Sequence, residues 1–473
     1  MGVNWKMIKD LGPQILATTL GTLIAVSDGM AYGWTSPMIP YFESNKSHIA
    51  ITEADAEWFE NINLIGAISG LPFTIFAVDY FGRKPSLLLS AVTGCICWLV
   101  LLLTTNVKVI YVARFFFGMA GDMCGVAAPM YVAEIADHNI RGFLASLIYL
   151  QMLIGILLVY CTGALAPYFV TSVVGIIITA SQCVTFPFMP ESPYYYVTRN
   201  RHKDARKALK RIRSDKESID KEIEEIEEEI AREKLEKGRP QDLVLVPSNR
   251  LAMIIMLVLN GGQHFVGISV MMMNVQKILT EAGSVYMDST TSAILFAVMM
   301  LASCSVASVF IDRFGRKILL ILSGVLTGIA LLAISIYFHL KYLNYNVLPI
   351  SWLPAACVMI YAASFKVGLG LVPIVITAEI FPTNVKAMGM TLADVIYVVA
   401  ASASINLYNL LYNSFGIHVP FYVFSAVSFL IAVYTYFWIP ETKGKTLDEI
   451  QFLLKRKTHM TEKEKNIPID VIT

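Results

Sequence analysis

The chain has 473 residues, 56% of them hydrophobic and 15% charged, with a formal net charge of +1. A mean hydropathy of +0.61 means far more apolar surface than a soluble core of this length buries, which excludes an ordinary soluble globular protein. That excess points to the lipid bilayer as the medium, whereas the net charge says nothing about partners and no broad basic face suggests nucleic acid.

A hydrocarbon core about 30 Å thick takes about 20 apolar residues per helix. Read for runs of that length, the sequence predicts an all-α membrane protein with twelve spans, at 13–36, 59–78, 85–105, 109–132, 143–165, 169–189, 251–279, 289–311, 318–338, 353–378, 387–413 and 420–439. The first stretch, Met1 to Pro13, has no small-residue cleavage site and its apolar run continues too far for a signal peptide, so it is expected to be kept. The loop from Tyr41 to Glu57 contains Asn45-Lys46-Ser47, the one N-glycosylation acceptor in the chain. Arg83-Lys84, Arg141, Arg316-Lys317, Lys386, the central polar segment and the tail from Lys443 to Lys465 all fall on one side of such a topology. Loops rich in Lys and Arg stay in the cytoplasm, so a multi-pass plasma-membrane protein with both termini cytoplasmic and Asn45 outside is expected. The sequence divides into a six-helix half at 1–190, a cytoplasmic helical linker at 191–250, a second six-helix half at 251–440 and a tail at 441–473.

The linker is basic first (Arg199, Arg201, Lys203, Arg206, Lys207, Lys210, Arg211, Arg213) and acidic afterwards (Glu222, Glu224, Glu225, Glu227, Glu228, Glu229). Ile219, Ile223, Ile226 and Ile230 form a narrow apolar stripe, which favours short docked helices over a solvated connector. The opposite charges permit the two parts to pair, and the basic part is also placed to meet anionic lipid.

The chain repeats itself. Asp79-Tyr80-Phe81-Gly82-Arg83-Lys84 returns as Asp312-Arg313-Phe314-Gly315-Arg316-Lys317, Glu134 with Arg141 returns as Glu379 with Lys386, and Pro190-Glu191-Ser192-Pro193 returns as Pro440-Glu441-Thr442-Lys443. Matches in the same order at offsets of about 230 to 250 residues mean that a half-length unit was duplicated. In a membrane chain, two parallel repeats of this size read as a transporter with its site between pseudo-symmetric halves. Charges at the membrane edge are costly unless paired. Arg83, Lys84, Glu134, Arg141 and Glu191 are therefore expected to cluster, with Arg316, Lys317, Glu379, Lys386 and Glu441 as the copy. Such clusters serve as latches between conformations or as simple topology anchors. No nucleophile–base set and no phosphate-cradling glycine loop appears, so an enzyme is not expected. The seven cysteines lie in apolar runs without a completing His or acid, so neither a metal nor another cofactor is expected.

These strings together resemble the sugar porter family of the major facilitator superfamily, over essentially the whole chain. Gly-Arg-Lys after spans two and eight, Pro129-Met130-Tyr131-Val132-Ala133-Glu134-Ile135-Ala136 running to Arg141-Gly142, and Pro440-Glu441-Thr442-Lys443-Gly444-Lys445-Thr446 carry the resemblance. Ser27-Asp28-Gly29-Met30 with Gly33-Trp34-Thr35-Ser36-Pro37 looks most like the insect facilitated trehalose transporters. The resemblance implies a major facilitator fold and a small sugar as partner, and carries no signal for oligomeric state. It also implies that Gln151 and Gln263 contact the sugar, with His264 and Ser269 standing where the family has Gln and Asn.

Other positions depart from the family. Met300 replaces an Asn, and Gly368-Leu369-Gly370-Leu371-Val372-Pro373 lacks one proline and the following Trp. Tyr397-Val398 replaces Asn-Trp, and Tyr194 replaces the Arg after Pro-Glu-Ser-Pro. His264 and Tyr397 form an alternative polar set. Asp28, Asp122 and Lys366 lie inside spans; Asp122 and Lys366 occupy copies of one helix, which permits either direct pairing or separate local satisfaction. Proton-linked sugar porters carry an Asp where this chain has Thr35, which favours facilitated uniport over proton symport. A transporter-like sensor or binding protein with an altered substrate is the other reading.

Overall fold

The structure, a computed structural model, describes residues 5–454 except 45, 46, 48, 138, 139, 214–218, 236–238, 444, 446–448 and 451. The glycosylation acceptor Asn45 and the tail beyond 454 lie outside the described residues. Among those described, every regular element is helical, and 12 helices are long and apolar enough to cross a membrane. They are span 1 (Leu11–Glu43), span 2 (Glu53–Tyr80), span 3 (Arg83–Leu103), span 4 (Val107–Ile135), span 5 (Arg141–Leu165) and span 6 (Tyr168–Phe188). The second set is span 7 (Pro247–Ala282), span 8 (Ser289–Ser308), span 9 (Arg316–Tyr342), span 10 (Leu348–Thr377), span 11 (Met388–Phe415) and span 12 (His418–Trp438). Each overlaps a run predicted from the sequence. Span 1 continues past the expected 36 because Pro37 falls in the first turn of a fresh segment, Thr35–Glu43, where a missing N–H costs no helical hydrogen bond.

Local chemistry sets where spans begin. Thr52 and Asp55 form a capping box at span 2, with Thr52 N donating to Asp55 Oδ2 at 2.8 Å and Asp55 N to Thr52 Oγ1 at 3.2 Å. Asn106 Oδ1 accepts from Lys108 N at 2.9 Å to open span 4. Spans 3 and 9 both start after a glycine in the left-handed region, Gly82 at φ +105° and Gly315 at φ +86°, a conformation other residues rarely adopt.

Three spans are interrupted. Span 1 turns at Thr22–Leu23. Span 7 carries a π-helical turn at Leu257–Gly261 and bends again at Gly267, whose φ is +91°. Span 10 breaks between Val367 and Val372 even though one family proline is missing. The cause is twofold: Pro373 in the first turn of the second segment cannot donate, and Gly368 packs so tightly that a Cβ would come 2.3 Å from the Leu319 carbonyl oxygen. Interrupted membrane helices expose backbone polar groups and mark binding sites in transporters.

Contacts divide the chain into two compact units. The first is Met1–Arg232 with Met271–Gly283 and Met287–Leu301; the second is Glu233–Val270 with Ser284–Tyr286 and Ala302–Thr473. In the first, spans 1 and 5 touch backbone to backbone: a Cβ on Gly29 would lie 1.9 Å from the Met152 carbonyl oxygen, and one on Gly155 would lie 2.0 Å from that of Val26. The linker helices His202–Ile212 and Ile219–Leu235 are docked, not solvated. Ile219, Ile223 and Ile230 are buried with Ala205, Leu209 and Ile212 in one cluster that includes Leu87, Ile135 and Phe186, and Ile226 packs against it. The charged parts pair as their sequence permits, through Arg213–Glu222 at 2.7 Å, His202–Glu227 at 3.0 Å and Arg206–Asp220. Arg213 Nη1 also donates to the Ile135 carbonyl at 2.9 Å, tying the linker to the end of span 4.

Candidate functional site

In the second unit, the polar groups expected to meet substrate gather at the bend of span 7. His264 Nδ1 and Ser269 Oγ are 2.7 Å apart, in a hydrogen bond whose direction follows the imidazole tautomer. The His264 ring meets the Tyr397 ring edge to face at 4.1 Å. Ser404 Oγ holds the His264 carbonyl at 2.6 Å, and Asn260 Nδ2 donates to Thr377 Oγ1 at 2.8 Å, bracing the π-helical turn against span 10. Gln263 and His264 are 3% and 0% exposed, yet Gln263 Nε2 and His264 Nε2 have no hydrogen-bond partner among the described residues. A buried polar atom left unpaired costs about 1–3 kcal/mol, so such atoms mark where a polar ligand would bond. Met300 is fully buried and offers no such group.

In the first unit, Gln151 on span 5 is 8% exposed. Its Nε2 donates to the Thr19 carbonyl at 3.2 Å, three residues before the turn in span 1, and its Oε1 is buried without a partner. Asp122 Oδ2 accepts from Thr74 Oγ1 at 2.6 Å, and Asp28, packed on Gly121, lies close enough for the two carboxylates to act on each other. Lys366 belongs to the second unit, 1% exposed, with Cys304 and His264 nearby and its Nζ 5.7 Å from the centre of the Phe365 ring. Each of these in-span charges thus has neighbours in its own unit. Glu60 and Arg114 are two more, passed over by the motif comparison although a plain scan of 59–78 and 109–132 for acids and bases finds both.

The repeated strings build the same object twice. Arg83 Nη2 reaches Glu134 Oε1 at 2.8 Å, and Arg316 Nη2 reaches Glu379 Oε1 at 3.0 Å. Glu191 accepts from the amides of Lys84 at 3.1 Å and Ser192 at 2.8 Å; Glu441 accepts from Arg316 at 2.9 Å, Lys317 at 3.1 Å and Lys443 at 3.0 Å. These carboxylates therefore cap the starts of spans 3 and 9, where unsatisfied amides and the helix dipole favour negative charge. Glycine is needed beside each: a Cβ on Gly82 would sit 2.5 Å from Glu191 Oε2, and one on Gly315 2.8 Å from Glu441 Oε2. The lysines cap helix ends, Lys84 Nζ on the Pro187 and Met189 carbonyls at 2.6 and 2.8 Å, and Lys317 Nζ on Tyr436 at 2.6 Å. Arg141 opens span 5 with its side chain exposed, and Lys386 lies in the first turn of the helix Thr383–Phe415; among the described residues neither joins the Arg–Glu pair of its own unit.

A family model described as Sugar (and other) transporter matches residues 14–454. The chain belongs to this family. Its relatives include the facilitated trehalose transporter Tret1 of Drosophila virilis, 28% identical over 92% of this chain and 48% of that protein. Tret1 of Polypedilum vanderplanki is 28% identical over 93% and 87%, and Tret1 of Bombyx mori 27% over 97% and 90%. The chain thus spans about half the length of the Drosophila virilis relative and most of the other two. Among solved structures, the major facilitator proton:xylose symporter XylE bound to 6-bromo-6-deoxy-D-glucose matches with a TM-score of 0.73 and 22% identity, over 94% of this chain and 99% of that one. An inward-open XylE from E. coli matches with a TM-score of 0.74 and 21% identity, over 93% and 98%. The fold of this sugar-transporter family member is that of the major facilitators: an all-α, multi-pass membrane protein.

The two caps of this family member differ in electrostatic sign. Burial opposes charge on Glu441, but the backbone amides of Lys443, Arg316, Lys317 and Thr442 outweigh it and hold its carboxyl below the usual range. On Glu191 burial prevails over the amides of Ser192 and Lys84 and pushes the carboxyl up. A lowered folded value stabilises above the unfolded value and is lost as pH falls; a raised one stabilises below it and is lost as pH rises. Glu441→Gln is therefore expected to unfold at a lower temperature than the parent at neutral pH, with the gap closing as pH falls through the carboxylate range. Glu191→Gln should unfold at or above the parent's neutral-pH temperature. Thermal unfolding of the purified variants across pH checks both, and equal losses would refute the difference.

Proposed function

We propose that this protein is a membrane transporter that moves a sugar, trehalose or a hexose-like solute, across the plasma membrane by alternating access, with both termini cytoplasmic and Asn45 outside. The observation that carries the reading is a set of buried atoms without partners among the described residues: Gln263 Nε2 and His264 Nε2 on the interrupted span 7, and Gln151 Oε1 on span 5 beside the turn in span 1. Sugar hydroxyls both donate and accept, and so suit the donor and acceptor atoms left open in each unit. The trehalose preference rests on the names of the insect relatives. Facilitated uniport is favoured because Thr35, where proton-linked sugar porters have Asp, is a neutral hydroxyl donating to the Met273 carbonyl at 3.2 Å. Radiolabelled uptake into vesicles across a panel of hexoses, disaccharides and polyols, with and without a proton gradient, tests this. Saturable uptake of one sugar class that equilibrates and ignores the gradient is expected. Gradient-driven accumulation would make the protein a symporter, and saturable binding without uptake would make it a sensor.

A further inference from the structure

The segment Met271–Gly283 of span 7 packs within the first unit. The hydrogen bonds that hold it there include one from Gln276 Nε2 to Thr290 Oγ1 of span 8 at 3.3 Å and four to spans 1, 2 and 5. Thr35 Oγ1 donates to the Met273 carbonyl at 3.2 Å, Tyr160 OH to that of Met272, and Gln276 N to Ser36 Oγ at 3.3 Å. The fourth is different in kind: Asn274 Nδ2 donates to Glu60 Oε1 at 2.6 Å, 214 residues away in sequence. Glu60 is 2% exposed and Asn274 7%. Of these contacts it is the one whose acceptor can carry a charge, and hydrogen bonds to ionised groups are roughly twice as strong as neutral ones.

A carboxylate inside a membrane span is costly and tends to be functional. The charges that act on Glu60 are Lys277 of the same held segment, Arg114 of span 4 and Glu57 one turn away on span 2. Arg114, fully buried, spends its guanidinium on backbone: Nε and Nη2 on the Phe59 carbonyl at 3.0 and 2.8 Å, and Nη1 on that of Ala31 at 2.5 Å, with the Trp34 ring 5.2 Å below. Spans 1, 2 and 4 are thereby fixed around the peptide that precedes Glu60. The carboxylate is left to face span 7, on a rigid base whose positive charge offsets its own.

We propose that Glu60 is a gating residue: through Asn274 it holds the outer end of span 7 closed, and the breaking of this one contact sets how often the site opens to the outside. The inference rests on the transport reading and on the topology proposed with it. It is tested with a reporter, Met273→Cys, at a fully buried position in the held segment. The reporter is labelled by a membrane-impermeant maleimide on intact cells, against the parent chain as background. Glu60→Leu should raise the labelling rate about tenfold, the scale of one charge-assisted hydrogen bond. Asn274→Leu should do the same, and the double variant should add little, because both remove one contact. Glu60→Gln keeps an acceptor for Asn274 and should stay within about threefold of the parent. In uptake, Glu60→Leu should lower the external half-saturation concentration together with the maximal rate, because a larger outward-open fraction binds solute more readily from outside; a merely structural lesion would not lower it. Unchanged labelling in Glu60→Leu, or additive effects in the double variant, would overturn the proposal. Absence of uptake in the parent strikes the transport reading instead, and the labelling, which needs no solute, still decides whether Glu60 holds span 7.

Discussion

Gln263→Leu is expected to raise the half-saturation concentration for sugar uptake about fivefold to thirtyfold, with the amount of protein in the membrane unchanged. Gln263 is 3% exposed and its Nε2 has no partner among the described residues, so this donor is already desolvated and unspent. Leucine keeps the volume and deletes the bonding group, which isolates the hydrogen bond from the packing. Loss of one neutral bond is worth about 1 kcal/mol, and a solute hydroxyl left facing leucine adds up to about another, which together give that range. On the proposed function the amide acts on solute binding, so the maximal rate should change much less. Kinetic measurement in vesicles normalised to surface protein checks this. Unchanged constants would remove Gln263 from the site, and a collapse in protein level would show that its role is in folding.

The parts of this molecule legible in its sequence are those on which the bilayer or the duplication imposes a rule. Twelve helices are readable because lipid demands long apolar runs whatever their packing. The docking of the linker is readable because Ile219, Ile223, Ile226 and Ile230 keep a helical period in a charged segment. His264 and Tyr397 could be named as a set from substitutions at family positions, and the structure brings them together and adds Ser269. The Glu60–Asn274 contact was not readable, because no period or motif relates residues 214 apart. Nor was the break in span 10, since sequence reading expects proline to break helices and gives no weight to a glycine pressed against the Leu319 carbonyl. Glu191 and Glu441 could be matched as recurring acids, but that they bond mainly to backbone amides is visible only in three dimensions.

Arg83→Ala is expected to slow turnover at least tenfold while solute binding persists. Arg83 and Glu134 join the start of span 3 to the end of span 4, and Glu191, capping span 3, adds the segment after span 6. On the proposed topology these are cytoplasmic ends that must move as one body in alternating access, so loosening them harms the conformational step and leaves the amides proposed to contact solute in place. The two side chains are only 9% and 13% exposed. Removing one partner of a fully buried pair costs about 3 to 5 kcal/mol, and this slightly wetted pair should cost somewhat less. Glu134 would lose Arg83 as a partner while staying in place, so the double variant Arg83→Ala with Glu134→Ala should recover part of the rate. The copy gives an internal scale: in Arg316–Glu379 the acid is 28% exposed, so water can replace the arginine more readily and Arg316→Ala should do less damage. Arg141→Ala, at an exposed position outside the Arg83–Glu134 pair, should do least of the three. Exchange rates and binding measured in parallel on the four variants check the order. Equal losses of binding and rate in Arg83→Ala, or no recovery in the double variant, would reduce the cluster to an anchor for topology.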